Sequence, residues 1–212
     1  MGSVGLLYVG AILFLNGVML LGWVDSKSAA PMNIFVGGLQ VVTPTYLIFT
    51  AHGDQNIILG ASGLYLFGFT YLYVAFNLLA GLDGTGLGFF SGFVAVAAVF
   101  FSVLNFNRFD DNAFGIIWIN WAFLWALFFL LLGLKKDFLG RYTGAVAAIQ
   151  GWITGTIPAF FLLTGHWSKG VRNKYAVALA IVDVAAFGAL YPALRARTTA
   201  PSSPAAAVAS AG

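Results

Sequence analysis

Hydrophobic positions in this chain come in long blocks rather than alternating with polar ones. Seven blocks, roughly 4–24, 32–50, 58–79, 87–104, 113–134, 144–167 and 175–194, each hold about 20 residues, enough to cross a bilayer core as a helix. The polar breaks between them run seven to nine residues, so consecutive helices should be antiparallel neighbours with no soluble domain between them. Strands of a membrane barrel would show as alternating segments of about ten residues, and the chain has none. Because lipid admits only helices or closed barrels, the pattern predicts an all-α membrane protein built as one bundle.

Composition narrows the function. The chain is 60% hydrophobic and 8% charged, where soluble domains carry about 25% charged residues. That excludes a soluble domain, a disordered chain and a nucleic-acid binder. The ten Lys and Arg fall in loops and near block ends, as in membrane proteins, and a net charge of +3 is too scattered to specify a charged partner. With no cysteine, no glutamate and two distant histidines, neither a metal site nor any other cofactor is expected. No nucleotide loop or catalytic triad occurs, so an enzyme is not expected either. The first block lacks the basic start of a cleaved signal. With the N-terminus outside and seven crossings, Lys27, Lys135, Lys136, Arg141, Arg195 and Arg197 lie inside, against Arg108, Lys169, Arg172 and Lys174 outside. Six against four favours that orientation. Residues 198–212 are rich in Thr, Ala, Pro and Ser and read as a disordered tail.

Residues 5–25 and 63–83 align without gaps, with Gly5/Gly63, Leu6/Leu64, Gly10/Gly68, Leu20/Leu78, Leu21/Leu79 and Asp25/Asp83 identical. The fifth block ends similarly, in Gly133-Leu134-Lys135-Lys136-Asp137. This predicts three parallel hairpin repeats related by an axis along the membrane normal. The first, third and fifth helices would surround that axis, with the even helices outside, and make a pore within one protomer.

The fifth block carries Phe114, Trp118, Trp121 and Trp125 at spacings of four, three and four, which places them on one helix face. The first carries Leu6, Val9, Leu13 and Asn16 at helical spacing, and the third Leu64, Phe67, Tyr71 and Val74. For Leu and Val alone, simple packing faces are the better reading. Tryptophan, however, favours the membrane interface, and an indole N–H buried at mid-span needs a partner. Such a stripe fits the wall of a narrow, partly hydrated passage. With no ring of charge, its selectivity would rest on width and sparse hydrogen-bonding groups, which suits flat, small, uncharged polar solutes. Asn16, Thr70, Asn120 and Gln150 are candidate solute partners, and each serves equally well as an interhelical hydrogen bond.

Several segments carry a resemblance: Leu7-Tyr8-Val9-Gly10, Asn16-Gly17, Met32-Asn33, Val36-Gly37-Gly38, the run from Leu66 to Tyr73, Gly81-Leu82-Asp83, Trp118 to Trp125, Ile157-Pro158 and His166-Trp167. Together they resemble the AmiS/UreI family, bacterial channels for short amides and urea, from Gly5 to Trp167. The resemblance implies a six-helix protomer with its own pore, an N-terminus outside, and a homohexamer in the bacterial plasma membrane. It maps the family's constrictions onto Leu6, Val9 and Leu13 in the first helix and Phe67 and Tyr71 in the third. In the fifth it maps them onto Phe114, Trp118, Trp121, Leu124 and Trp125. It divides the chain into a channel domain over 1–167, an additional C-terminal helix over 168–197, and the tail.

Three departures from the family pattern matter. The pore carboxylate of its sixth helix corresponds to Gln150, which cannot titrate but still donates and accepts hydrogen bonds. The long, His-rich outer loop of acid-gated urea channels corresponds to Ala51–Ile57 with His52 alone, so no acid gate is expected; His166 reads as interfacial. The additional helix, with Asp183 mid-way, caps the bundle, contacts another protomer or binds a partner, and Asp183 is either functional, or protonated, or paired at a protein interface away from any pore. Gly84, Gly88 and Gly92, and Gly140, Gly144 and Ala148, are small-residue series suited to close helix packing, including between protomers. The expected function is a passive channel for small uncharged amides and/or urea. The alternative is a non-conducting membrane subunit or scaffold that binds a partner through its C-terminal helix.

Overall fold

The structure, a computed structural model, describes residues 2–195, so the tail expected over 198–212 lies outside the described residues. Seven helices are long and apolar enough to cross a membrane: α1 Gly2–Leu20, α2 Ser26–Phe49, α3 Gln55–Ala80, α4 Thr85–Asn107, α5 Asn112–Gly133, α6 Asp137–Leu163 and α7, which extends over Lys169–Arg195. No strand occurs among the described residues. The end of α5 (Phe129–Gly133) and the middle of α6 (Gly151–Thr156) widen into π turns.

Aspartates start several of these helices. The Asp25 carboxylate accepts from the backbone N–H of Lys27 (2.9 Å) and Ser28 (3.2 Å) at the start of α2. Asp54 accepts from Asn56 and Ile57 at the start of α3, and Asp111 from Phe114 in α5. Asp83 accepts from Thr85 N–H at 2.8 Å as α4 begins. The first N–H groups of a helix lack intrahelical partners, and a short carboxylate supplies one. The matched Asp25 and Asp83 of the internal repeat therefore do the same job.

The closest helix packing falls between the hairpins read in the sequence, not within them. The most extensive packing joins α2 to α3, α4 to α5, and α1 to α6, while α1–α2, α3–α4 and α5–α6 touch more lightly. The reason is steric. Along α1 and α6 the backbones themselves meet: a Cβ on Gly17 would stand 2.6 Å from the Gly144 carbonyl oxygen, and one on Gly155 2.6 Å from Gly10 Cα. Gly88 of α4 meets the backbone of Leu132 and Gly133 in α5 in the same way. Small residues allow this approach in lipid, where dispersion contacts drive association. Gly88 and Gly144 are thus spent within the protomer.

The added helix α7 lies against α5 and α6. At its start Lys169 bonds Asp110 (2.7 Å), and Arg172 reaches Asp111 (3.3 Å) and the Asp110 carbonyl (3.0 Å). Further along, Tyr175 donates to the Ile153 carbonyl (2.6 Å) and Tyr142 to that of Phe187 (3.2 Å). The hydrogen bond from Lys169, with Arg172 behind it, holds the exposed Asp110 carboxyl below the usual carboxylate range. Bonds from Lys135 and Thr85 do the same for Asp83. A lowered carboxylate pKa contributes stability above the ordinary aspartate value of about 3.9 and loses it as pH falls through the folded value, so both ties persist between pH 5 and pH 7.

Candidate solute passage

The three stripes converge. Leu6, Val9, Leu13, Asn16, Phe67, Tyr71, Trp118, Trp121, Leu124 and Trp125 are all buried, and Phe114 is partly buried against them. The tryptophans point into the bundle, not towards lipid. Phe67 is the hub: its ring centre lies 4.7 Å from that of Trp121 and 4.8 Å from that of Trp125, edge-on to both. Trp118 meets Trp121 edge-on at 4.9 Å and stacks on Phe101 at 4.6 Å. Aromatic pairs prefer these offset and edge-to-face arrangements.

Both mid-span indoles find threonines. Trp121 Nε1–H donates to Thr154 Oγ1 (2.9 Å), whose own hydroxyl donates to the Gln150 carbonyl (2.7 Å). Trp125 Nε1–H donates to Thr70 Oγ1 (3.4 Å), which donates to the Leu66 carbonyl (2.6 Å). A threonine hydroxyl both donates and accepts, so it can anchor to its own helix and still hold a ring from another.

Two cavities flank the aromatic layer. One, of about 410 Å³, opens near the start of α1 and is lined by Leu6, Leu64, Phe114, Trp118 and Trp121, with Asn56 and Asn105 among its few polar groups. The other, of about 30 Å³, is lined by Leu13, Asn16, Thr70, Tyr71, Leu124 and Trp125. It is large enough to hold a water molecule. The Tyr71 hydroxyl, buried beside it, has no hydrogen-bond partner. Val9 and Phe67 line neither cavity; their helical register puts them between the two. Phe67 packs edge-on against both Trp121 and Trp125 at this level.

Of its two readings, Gln150 takes the interhelical hydrogen bond. Gln150 lines neither cavity. Its Nε2 donates to the backbone carbonyl (3.1 Å) and side-chain Oδ1 (3.3 Å) of Asn120, on a different face of α5 from the tryptophan stripe. Asn120 itself donates to Asp183 Oδ2 of α7 at 2.6 Å. Asn120 thus ties α5 to both α6 and α7. Nor do the even helices stand outside: α4 contributes Leu87 and Ser91 to the small cavity, and Phe101 and Asn105 to the large one. With Val94 and Ala98 these positions fall on one face of α4 at spacings of four and three, and Ser91 and Asn105 are the polar marks on it. Asn16 does border the small cavity, while exchanging reciprocal hydrogen bonds with Asn33 of α2 at 2.9 and 2.8 Å.

Comparison with known proteins bears on this geometry. A sequence profile described as AmiS/UreI family transporter matches residues 1–166. A Mycolicibacterium smegmatis protein named for transport of amidate substrates is 52% identical over 202 residues, covering 95% of this chain and 93% of its own. The acid-activated urea channel of Helicobacter pylori strain J99 is 38% identical over 191 residues, covering 76% of this chain and 97% of its own. The cryoEM structure of the Helicobacter pylori urea channel in its closed state superposes with a TM-score of 0.72 at 38% identity, over 79% of this chain and all (100%) of that one. All of that channel thus finds its counterpart here, with chain to spare, and the family match stops just short of α7. The chain belongs to the AmiS/UreI transporter family.

Proposed function

We propose that the chain is a passive channel for short uncharged amides, with urea as an overlapping solute, in the bacterial plasma membrane. The observation that carries this reading is the lining of the two cavities: aromatic rings, a few amides and hydroxyls, and no charged side chain. A flat amide can stack on the rings and exchange hydrogen bonds with Asn16, Thr70 or Tyr71. An ion would lose its hydration with nothing to replace it. Relatives named for amidate substrates and for urea support the same solute class. The N-terminus outside, and assembly as a ring of six, belong to the same reading.

The channel has no acid gate. The break between α2 and α3 offers His52 as its one histidine, and Gln150 has no titratable proton. Asp83 and Asp110, both held below the usual carboxylate range, stay ionised from pH 5 to pH 7. The test is stopped-flow swelling of proteoliposomes with acetamide, formamide and urea. Acetamide entry is expected well above the bare-lipid rate and within about twofold between pH 5 and pH 7, a difference of less than about 0.5 kcal/mol in barrier. A steep rise at pH 5 would overturn the ungated reading. Entry at the bare-lipid rate would remove the channel and leave a non-conducting subunit whose α7 docks a partner.

A further inference from the structure

We propose that Asp183, on the helix beyond the family match, is a positioning residue for the constriction: through Asn120 and Gln150 it fixes how α5 and α6 hold the Trp121 indole. The proposal rests on the reading of the aromatic layer as the solute barrier.

The path runs through hydrogen bonds and, at Gln150, from the side chain to the backbone of the same residue. Asp183 Oδ2 in α7 accepts from Asn120 Nδ2 in α5 (2.6 Å). That bond, with a second to the Ile116 carbonyl (3.1 Å), turns the Asn120 amide nitrogen away from Gln150 and leaves its oxygen facing Gln150 Nε2 at 3.3 Å. Gln150 Oε1 is buried without a partner, so the bonds of Nε2 to Asn120 alone orient that side chain. The Gln150 backbone carbonyl accepts from the Thr154 hydroxyl, which accepts from Trp121 Nε1–H. Gln150 and Thr154 flank the start of the π turn of α6 (Gly151–Thr156), a stretch with a weaker regular ladder whose geometry depends on such side-chain ties. Asp183 borders neither cavity, so its influence on a permeating solute passes through this chain of bonds.

The experiment compares three full-length variants in proteoliposomes. Asp183→Leu removes the acceptor. Asp183→Asn keeps an acceptor oxygen without the charge. Arg172→Gln loosens the start of α7 where it meets Asp111, away from the path. The readouts are the butyramide-to-acetamide permeability ratio and the indole N–H resonance of Trp121, assigned through Trp121→Phe. Asp183→Leu is expected to change the ratio by about threefold, the scale of one interhelical hydrogen bond in a membrane, and to move the resonance. Asp183→Asn is expected to restore both, and Arg172→Gln to leave both at wild-type values. Equal changes in Asp183→Leu and Arg172→Gln would reduce Asp183 to a seat for α7 and overturn the proposal, as would an unmoved resonance in Asp183→Leu. The resonance is read without flux: a moved resonance in a protein with bare-lipid permeability would sink the channel reading while leaving the path intact.

Discussion

Phe67→Ala is expected to raise acetamide permeability by about tenfold and to admit larger amides such as butyramide. Phe67 is 1% exposed and touches Trp121 on the side of one cavity and Trp125 on the side of the other. Removing its ring joins the two spaces. A barrier lowered by about 1.4 kcal/mol is enough for a tenfold gain. Truncating a buried Phe also costs about 3–5 kcal/mol of stability, so the thermal midpoint should fall as flux rises. Phe187→Ala, which removes a ring of α7 stacked on Phe123 of α5 at 6.0 Å, is the control and should leave permeability unchanged. Slower flux in Phe67→Ala would mean that the ring is a stacking surface the solute needs, not the obstacle.

Gly10→Leu is expected to cut the yield of folded protein by at least about tenfold. A Cβ at Gly10 would stand 2.6 Å from the Gly151 carbonyl oxygen and from the Thr156 backbone nitrogen. These are backbone atoms and cannot swing away as a side-chain tip would. Extra methylenes in a packed interior cost about 1–3 kcal/mol even where side chains can adjust, and each 1.4 kcal/mol is about a factor of ten in an equilibrium. Forcing α6 outwards would also draw Thr154 from Trp121. Gly10→Ala should be intermediate. Fluorescence-detected size-exclusion chromatography of the solubilised protein reads the outcome, and a normal Gly10→Leu peak would refute backbone contact between α1 and α6. Gly38→Leu is the comparison, since a Cβ there meets nothing within 4 Å.

Much of this architecture was legible from spacing. Block length located the seven helices, although α7 starts at Lys169, ahead of its apolar block, because Lys169 and Arg172 are held by Asp110 and Asp111. The intervals between Trp118, Trp121 and Trp125 placed them on one inward face, since helical period fixes direction once a helix is given. Register says nothing about which helix lies opposite. The sequence therefore did not reveal that α1 pairs most closely with α6, that α4 supplies Ser91 and Phe101 to the cavities, or that Gln150 answers Asn120. Those facts depend on backbone approach at glycines and on hydrogen-bond partners brought together from distant positions.

The pairing of α1 with α6 has a consequence for biogenesis. Of these seven helices, α1 is made before its chief mate by the length of four others. Until then the stripe of Gly10 and Gly17 faces lipid or the insertion machinery uncovered. Completion of the ring is thus a late, concerted event, and a nascent chain halted before Asp137 would present a glycine groove with nothing to fill it.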